Sequence, residues 1–201
     1  LFFYSEGRPI ASPLVSAVEV GSGADRAGVQ VGDRIFRING QDVPDDFSVF
    51  TKLVNGSPSE RIDLDVLRGD QVLSLRPDLH VMRDENDFGG DASRRVMGVI
   101  LGNGAWELKA IGQVDDVPTD YNPDAARALL KERLGKDVVV LFGLQKKPGD
   151  EGPKFYKIHP DLSANTGLTD DSHPFHRAVI IGAIGPAPTK PLSFGAAWRE
   201  S

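Results

Sequence analysis

The sequence contains no cysteine, which excludes a disulfide framework and any metal site built from thiolates. It also contains no apolar run near the roughly 18 residues that a membrane-spanning helix needs. Positive charge is in deficit, because 23 lysine and arginine residues stand against 29 aspartate and glutamate residues. Nucleic acids are bound by clustered lysine and arginine side chains, so we expect no nucleic-acid partner.

The motifs of common enzyme classes are missing as well. There is no G-x-S-x-G nucleophile turn, no H-E-x-x-H zinc motif and no glycine-rich phosphate loop. His173 and His176, near Asp170 and Asp171, are residue types that bind metals. However, Pro174 prevents a regular helical presentation of the two histidines, and no third ligand is evident. We therefore interpret this segment as a solvated loop.

A second candidate metal site lies in the acidic stretch at residues 84–91. Its composition resembles a calcium-binding loop, yet Arg95 occupies the position where such a loop needs a bidentate glutamate. We interpret the stretch as an acidic surface loop. The sequence thus predicts no catalytic residue, no metal site and no cofactor within this segment.

Turn residues, in contrast, are abundant, with 22 glycines and 14 prolines among 201 residues. This composition favours many short elements over long helices. The first part of the chain predicts a strand, a short helical turn ended by Gly28, and a second strand that closes at the tight turn Asn39-Gly40. A helix from Phe47 to Val54 follows, and then two strands at residues 61–66 and 72–75.

The chain contains an internal repeat, whose blocks recur in one order despite loop insertions. The recurring segments pair Asp42–Phe47 with Asp116–Tyr121, Arg76–Leu79 with His159–Leu162, and Val96–Ile100 with Ile180–Ile184. A helix and an apolar strand follow the first block in both copies. In the second copy they are predicted at Pro123–Leu134 and Val138–Phe142. The repeat indicates two copies of one module.

We therefore predict an α+β fold of two modules, each a small, partly open antiparallel β-barrel or sandwich with one or two helices. The first module spans residues 10–102, the second spans residues 103–186, and residues 187–201 form an amphipathic segment. The second module has only Trp106–Val114 ahead of its first repeat block. It has either lost the strand, turn and short helix of the first module, or it takes a strand from its neighbour.

The segment Ser22–Gly40 resembles the signature stretch of bacterial PDZ domains. Gly28 can end the short helix with a positive φ, Gly32-Asp33 turns the chain into a strand, and Asn39-Gly40 suits a turn that needs left-handed geometry. The resemblance implies a circularly permuted PDZ fold of the bacterial type. Such a fold binds an extended peptide by adding it as a strand to a sheet edge beside a helix.

The resemblance also implies where the peptide binds. In this family an apolar-glycine-apolar tripeptide near the end of the module receives the ligand carboxylate with its N–H groups, although the same pattern is typical of a buried core strand. On the facing helix, Phe47 and Thr51 are candidate groove residues, or Phe47 instead completes the core. The predicted peptide-binding residues are Val96, Met97, Gly98, Val99, Ile100, Phe47, Thr51, Ile180, Ile181, Gly182 and Ala183.

The ends of the chain add a further resemblance. An aromatic start at Leu1–Tyr4 and the closing stretch from Pro191 to Trp198 resemble the flanks of the periplasmic insert of bacterial site-2 proteases, which are intramembrane zinc metalloproteases. The start would then end one membrane span, and the closing stretch would precede the next. The zinc ligands of that family lie in transmembrane helices outside this segment, so no catalytic residue is carried over.

This resemblance implies a role and a location. The tandem PDZ region would bind polypeptide substrates or their C-termini on the periplasmic side of the bacterial inner membrane, and it would keep bulky intact proteins from the protease. Two alternatives stay open: a stand-alone periplasmic PDZ adaptor, and the PDZ region of a periplasmic serine protease.

Overall fold

The structure, a computed structural model, describes residues 2–5, 8–11, 13–43, 47–85, 91–102, 104–143, 152–173 and 176–181. Short strands dominate these ranges, as the many glycines and prolines predict. The strands are β1 (Phe2–Ser5), β2 (Arg8–Ala11), β3 (Val15–Glu19), β4 (Arg34–Ile38), β5 (Gln41–Asp42), β6 (Leu64–Arg68), β7 (Gln71–Leu75), β8 (His80–Glu85), β9 (Asp91–Val96), β10 (Val99–Leu101), β11 (Gly104–Glu107), β12 (Ile111–Val114), β13 (Val117–Pro118), β14 (Val138–Phe142), β15 (Lys154–Ile158) and β16 (Ala178–Ile181).

Three α-helices accompany the strands in the described ranges: α1 (Gly23–Ala27), α2 (Phe47–Asn55) and α3 (Pro123–Lys131). The hydroxyl of Ser22 caps α1 by accepting from the N–H of Asp25, and Gly28 ends the helix at a φ of +89°. The prediction for α1 is therefore confirmed. The predicted extension of α3 to Leu134 is wrong, because the helix stops at Lys131 and the chain continues in turns. The mixed, strand-rich architecture confirms the α+β fold class.

The first half of the chain surrounds one hydrophobic core. A four-stranded sheet with the order β5-β4-β6-β7 packs with α2, β3 and β10 around it. The largest fully buried side chains in this core come from β4, β6 and the segment before β6, namely Ile35, Ile38, Ile62 and Leu64. Apolar burial on this scale is the main stabilising term for a small module.

The second half has a core of its own. Helix α3 packs against β12, and its Leu130 is fully buried beside Ile111. The ring of Trp106 stacks on that of Phe142 with centroids 3.9 Å apart, and it meets Tyr156 edge-on at 5.3 Å. Aromatic rings that stack or meet edge-on add to the stabilisation from burial alone.

One sheet joins the two halves. Its strand order is β10-β3-β15-β14-β12-β13, so that β3 of the first half pairs with β15 of the second. Within β3, Val15 and Val18 belong to the first core, while Ala17 packs in the second. An ion pair between Lys154 and Glu19 at 3.5 Å crosses the same joint. Of the two alternatives for the shortened second module, the pairing favours the one in which it takes a strand from its neighbour.

The repeated segments have matching local structures in three of their parts. Hairpins β4–β5 and β12–β13 both turn through a residue with φ +49°, Asn39 in the first and Asp115 in the second. Each hairpin precedes a helix and an antiparallel strand pair, β6–β7 or β14–β15. After that pair, the carbonyl of Pro77 accepts from Ile62 N–H, and the carbonyl of Pro160 accepts from Gly135 N–H. The domain boundaries at residues 102 and 186 stay predictions.

The segments that the sequence assigns to the membrane flanks are described only in part. Phe2–Ser5, in the predicted end of a span, is a strand paired antiparallel with Arg8–Ala11. Among the described residues, no helix is both long enough and apolar enough to cross a membrane. The predicted amphipathic segment 187–201 lies outside the described residues.

Candidate functional site

The loop between β9 and β10 carries the predicted tripeptide Met97-Gly98-Val99. Gly98 has a φ of +90°, which only glycine adopts without strain. A Cβ atom at this position would also overlap the Ser22 side chain, the N-cap of α1. The backbone at Gly98 thus approaches α1 more closely than any other residue type would allow.

Two main-chain hydrogen bonds hold the loop in place. The N–H of Glu19 donates to the carbonyl of Gly98 at 2.8 Å, and the N–H of Ala24 donates to that of Met97 at 2.9 Å. The side chain of Met97 is 3% exposed and lies in the first core. Met97 can therefore contribute to a peptide site through its main chain, while its side chain anchors the loop.

The strand that follows the loop lies at the end of its sheet. Within the described ranges, β10 pairs with β3 on one side and with no strand on the other; Val99 lies opposite Val18 and Ile100 opposite Ala17. In an antiparallel pair, hydrogen-bonded and non-hydrogen-bonded residue pairs alternate. Since Gly98 is bonded to Glu19, the next pair is non-bonded, and the N–H and C=O of Val99 point away from the sheet. Val99 thus offers one donor and one acceptor to an added strand.

Helix α2 lies beside the loop, as a peptide groove requires. Phe50 and Val54 of α2 are buried in the first core, against which Val99 of β10 also packs. The N–H of Arg95, just before the loop, donates to the side-chain oxygen of Asn55 at the end of α2, at 2.9 Å. Helix, loop and edge strand are thereby fixed as one unit.

The predicted groove residues of α2 are located only in part. Thr51 is half-buried, while Phe47 is the first residue of the helix and its side chain is not described. Val96 and Ile100, on either side of the tripeptide, are both half-buried, and Ile100 packs against the second core. These assignments stay predictions.

A cavity of about 240 Å³ adjoins the loop. Charged side chains at its wall are Glu19, Arg26 and Lys154, and His80 also lines it. Arg26 lies 3.6 Å from Asp78. A hydrogen bond from Arg61, together with the positive charges of Arg61 and Arg26, holds the pKa of the Asp78 carboxyl below its ordinary value. Cationic groups therefore stand close to the loop's main chain.

In the second half, the predicted site residues have a different setting. Ile181 is fully buried in the second core, and β16 pairs antiparallel with β11. The side chain of Asn165 binds both main-chain groups of Ile180. Gly182 and Ala183 lie outside the described residues.

Sequence reasoning missed two polar groups that shape these sites. Asp33 is 1% exposed, and its carboxylate accepts two hydrogen bonds from the Arg68 guanidinium, each at 2.8 Å. The hydrogen bond to Asp33 raises the pKa of Arg68 above its ordinary value. Asn165 is the second missed residue. No local signal in the sequence identifies either contact, because each joins positions far apart along the chain.

Comparison with known proteins adds to this geometry. The family model described as "PDZ domain" matches residues 14–68. A protein of Mesorhizobium japonicum named "Putative zinc metalloprotease" is 30% identical over 135 residues, which are 67% of this chain and 34% of that protein. "Protease RseP" of Yersinia pestis is 33% identical over 92 residues, which are 46% of this chain and 19% of that protein.

Among solved structures, the PDZ domain of an SdrC-like protein from Listeria monocytogenes is similar, with 16% identity and a TM-score of 0.35. The match covers 47% of this chain and 90% of that one. This chain spans about a third or less of the length of the two proteases named above.

The chain therefore contains a PDZ domain. Relatives by sequence include proteins named as zinc metalloproteases and as RseP, and the predicted resemblance to the PDZ region of a site-2-type protease is confirmed.

Proposed function

We propose that this region binds an extended polypeptide by adding it as a strand to the open edge of β10. The observation that carries the proposal is the pair of outward-facing main-chain groups on Val99, next to the loop in which Gly98 closely approaches α1. Main-chain hydrogen bonds at a strand edge supply affinity, and the neighbouring pockets supply selectivity.

The loop is best suited to bind the free C-terminal carboxylate of a peptide. Gly98 has no side chain that could cover the main-chain N–H groups near it, and such groups attract a carboxylate. Arg26 and Lys154, which pair with Asp78 and Glu19, also line the adjoining cavity. The bound peptide would then run from the loop along β10.

In the parent protein, this binding would gate substrates of a zinc metalloprotease. The region would act on the periplasmic side of the bacterial inner membrane, where it keeps intact, bulky proteins from the active site until they are trimmed. The zinc would be held in a part of the protease outside this segment. The similarity to proteases named as zinc metalloproteases supports this role.

The binding step is tested with a peptide probe. Random decapeptides with free carboxyl ends are selected on the wild-type chain, and the tightest binder is measured against Val99→Pro and Val99→Thr. Proline removes the outward N–H and is tolerated where that N–H faces solvent, whereas threonine keeps it. We expect Val99→Pro to weaken binding at least about tenfold and Val99→Thr to change it little, because one hydrogen bond is at stake. Equal affinity for both variants would refute binding at this edge.

The gating step is tested in the full-length protease. We expect Val99→Pro to reduce the preference for trimmed over intact substrate, with Val99→Thr as the matched control. An unchanged preference in Val99→Pro, in a protease that still cleaves, would refute the gate while leaving peptide binding intact.

A further inference from the structure

We infer that the side chain of Asn165 occupies the place of a peptide on β16, so that among the described residues the strand edge at Ile180 is closed to a peptide while the edge at Val99 is open. The repeat in the sequence predicts a second site around Ile180 and Ile181. This inference rests on the proposed function, in which an open strand edge binds a peptide.

The main-chain groups of Ile180 point away from the sheet, as those of Val99 do. Leu108 N–H donates to the carbonyl of Arg177, which makes that residue pair hydrogen-bonded. Three pairs further along the same register, Ala105 and Ile180 are opposite each other in a non-bonded pair. The N–H and C=O of Ile180 therefore face the free side of β16, where an added strand would bind.

The side chain of Asn165 forms hydrogen bonds with both of these groups. Its Oδ1 accepts from the N–H of Ile180 at 2.7 Å, and its Nδ2 donates to the carbonyl of Ile180 at 3.1 Å. A side-chain amide carries the same donor and acceptor as a peptide unit. The two bonds are thus the ones that a bound strand would make with Ile180.

The segment that carries Asn165 is anchored on both sides. Asn165 is 1% exposed, and its Nδ2 also donates to the carbonyl of Asp161 at 2.8 Å. Three residues later, Leu168 is fully buried in the second core, and its carbonyl accepts from Arg127 Nε at 2.9 Å. A peptide would have to displace these contacts before it reached Ile180. At β10, no described side chain forms such hydrogen bonds with the main-chain groups of Val99.

Amide hydrogen exchange tests the closure without any ligand. In the wild-type chain, we expect the Ile180 amide to exchange slowly although it faces away from β11. Asn165→Leu keeps the volume and removes both bonds, so Ile180 exchange should accelerate at least about tenfold. The amide of Val179, which faces β11, should keep its rate. Unchanged exchange at Ile180 would overturn the inference.

A milder variant and a stoichiometry measurement keep the test decisive if Asn165→Leu loosens the fold. Asn165→Ala also removes both bonds but introduces neither bulk nor charge, and we expect it to accelerate Ile180 exchange as well. Titration calorimetry of the wild-type chain with the selected decapeptide should give one peptide per chain. Two peptides per chain, or a peptide that slows Ile180 exchange further in Val99→Pro, would contradict the closure.

The opened edge is tested in a background that lacks the first site. We expect the decapeptide library to yield a binder that protects Ile180 in Val99→Pro combined with Asn165→Ala, which removes the blocking side chain, and none in Val99→Pro alone. Absence of binders from the combined variant, with its Ile180 amide exposed, would contradict the view that Asn165 blocks a peptide site. If no peptide protects Val99 in the wild-type chain, the proposed function fails, while slow Ile180 exchange still reports the Asn165 contact.

Discussion

Replacing Gly98 with alanine adds one methyl group where the loop before β10 meets the start of α1. The left-handed backbone at Gly98 costs an alanine about 1–2 kcal/mol. The added Cβ also overlaps the side chain of Ser22, so that side chain has to leave its place as the N-cap of α1. Loss of such a cap costs about 0.5–2 kcal/mol. We therefore expect Gly98→Ala to lower the free energy of unfolding by about 2–4 kcal/mol.

The matched control is Gly69→Ala, at the turn between β6 and β7. Gly69 also has a positive φ, +59°, but an added Cβ there has open space. It should cost only the backbone strain of about 1–2 kcal/mol. Ser22→Gly removes the obstacle and is itself a mild change at an N-cap, with a cost of a few tenths of a kcal/mol.

Denaturant unfolding of the single and double variants measures the coupling between Gly98 and Ser22. We expect Ser22→Gly combined with Gly98→Ala to be about 1–2 kcal/mol more stable than the sum of the single costs predicts. Purely additive effects, or a Gly98→Ala variant no less stable than Gly69→Ala, would refute the close approach of loop and helix. Gly98→Ala should also weaken peptide binding more than Gly69→Ala does, because only the change at Gly98 disturbs the loop before β10.

Three further predictions concern stability. Asp33→Ala removes the partner of the Arg68 guanidinium and should lower the free energy of unfolding by about 2–4 kcal/mol in urea titrations, since it breaks a buried charged network; a loss below 0.5 kcal/mol would argue against it. The hydrogen bond from Lys157 holds the pKa of Asp25 below its ordinary 3.8. The stability that this hydrogen bond contributes is therefore present above the ordinary pKa and is lost as the pH falls through the lowered pKa. Asp25→Asn should flatten the curve of stability against pH below about pH 4. Leu130→Ala should cost about 2–5 kcal/mol, and because β3 is shared, amide exchange should show both cores unfolding at one denaturant concentration rather than two.

Elements that depend on local sequence could be predicted. The short helix ended by Gly28, the turn at Asn39 and the helix α2 all follow from residues within a few positions of each other. Such features rest on φ preferences, capping and apolar periodicity, which act over one or two turns of chain. The strand predicted at residues 61–66 begins only at Leu64. The N–H of Ile62 still donates to the carbonyl of Pro77 in the register of β6 and β7, but Pro77 has no N–H with which to return the bond.

Contacts between distant residues could not be predicted. The pairing of β3 with β15 joins positions more than 130 residues apart, and the alternation within β3 does not reveal that both of its edges are paired. The amide of Asn165 on Ile180 has no signature, because a buried asparagine is identified only by the groups it meets. The apolar-glycine-apolar pattern was ambiguous for the same reason: the side chain of Met97 is core, while the main chain at Val99 faces outward.

Amide hydrogen exchange at Val99, with and without the selected decapeptide, tests the central claim most directly. The account predicts rapid exchange in the free chain and at least about tenfold slower exchange with saturating peptide, while Ile180 is slow in both states. Saturating peptide that leaves Val99 exchange unchanged, or protects another strand edge instead, would contradict it.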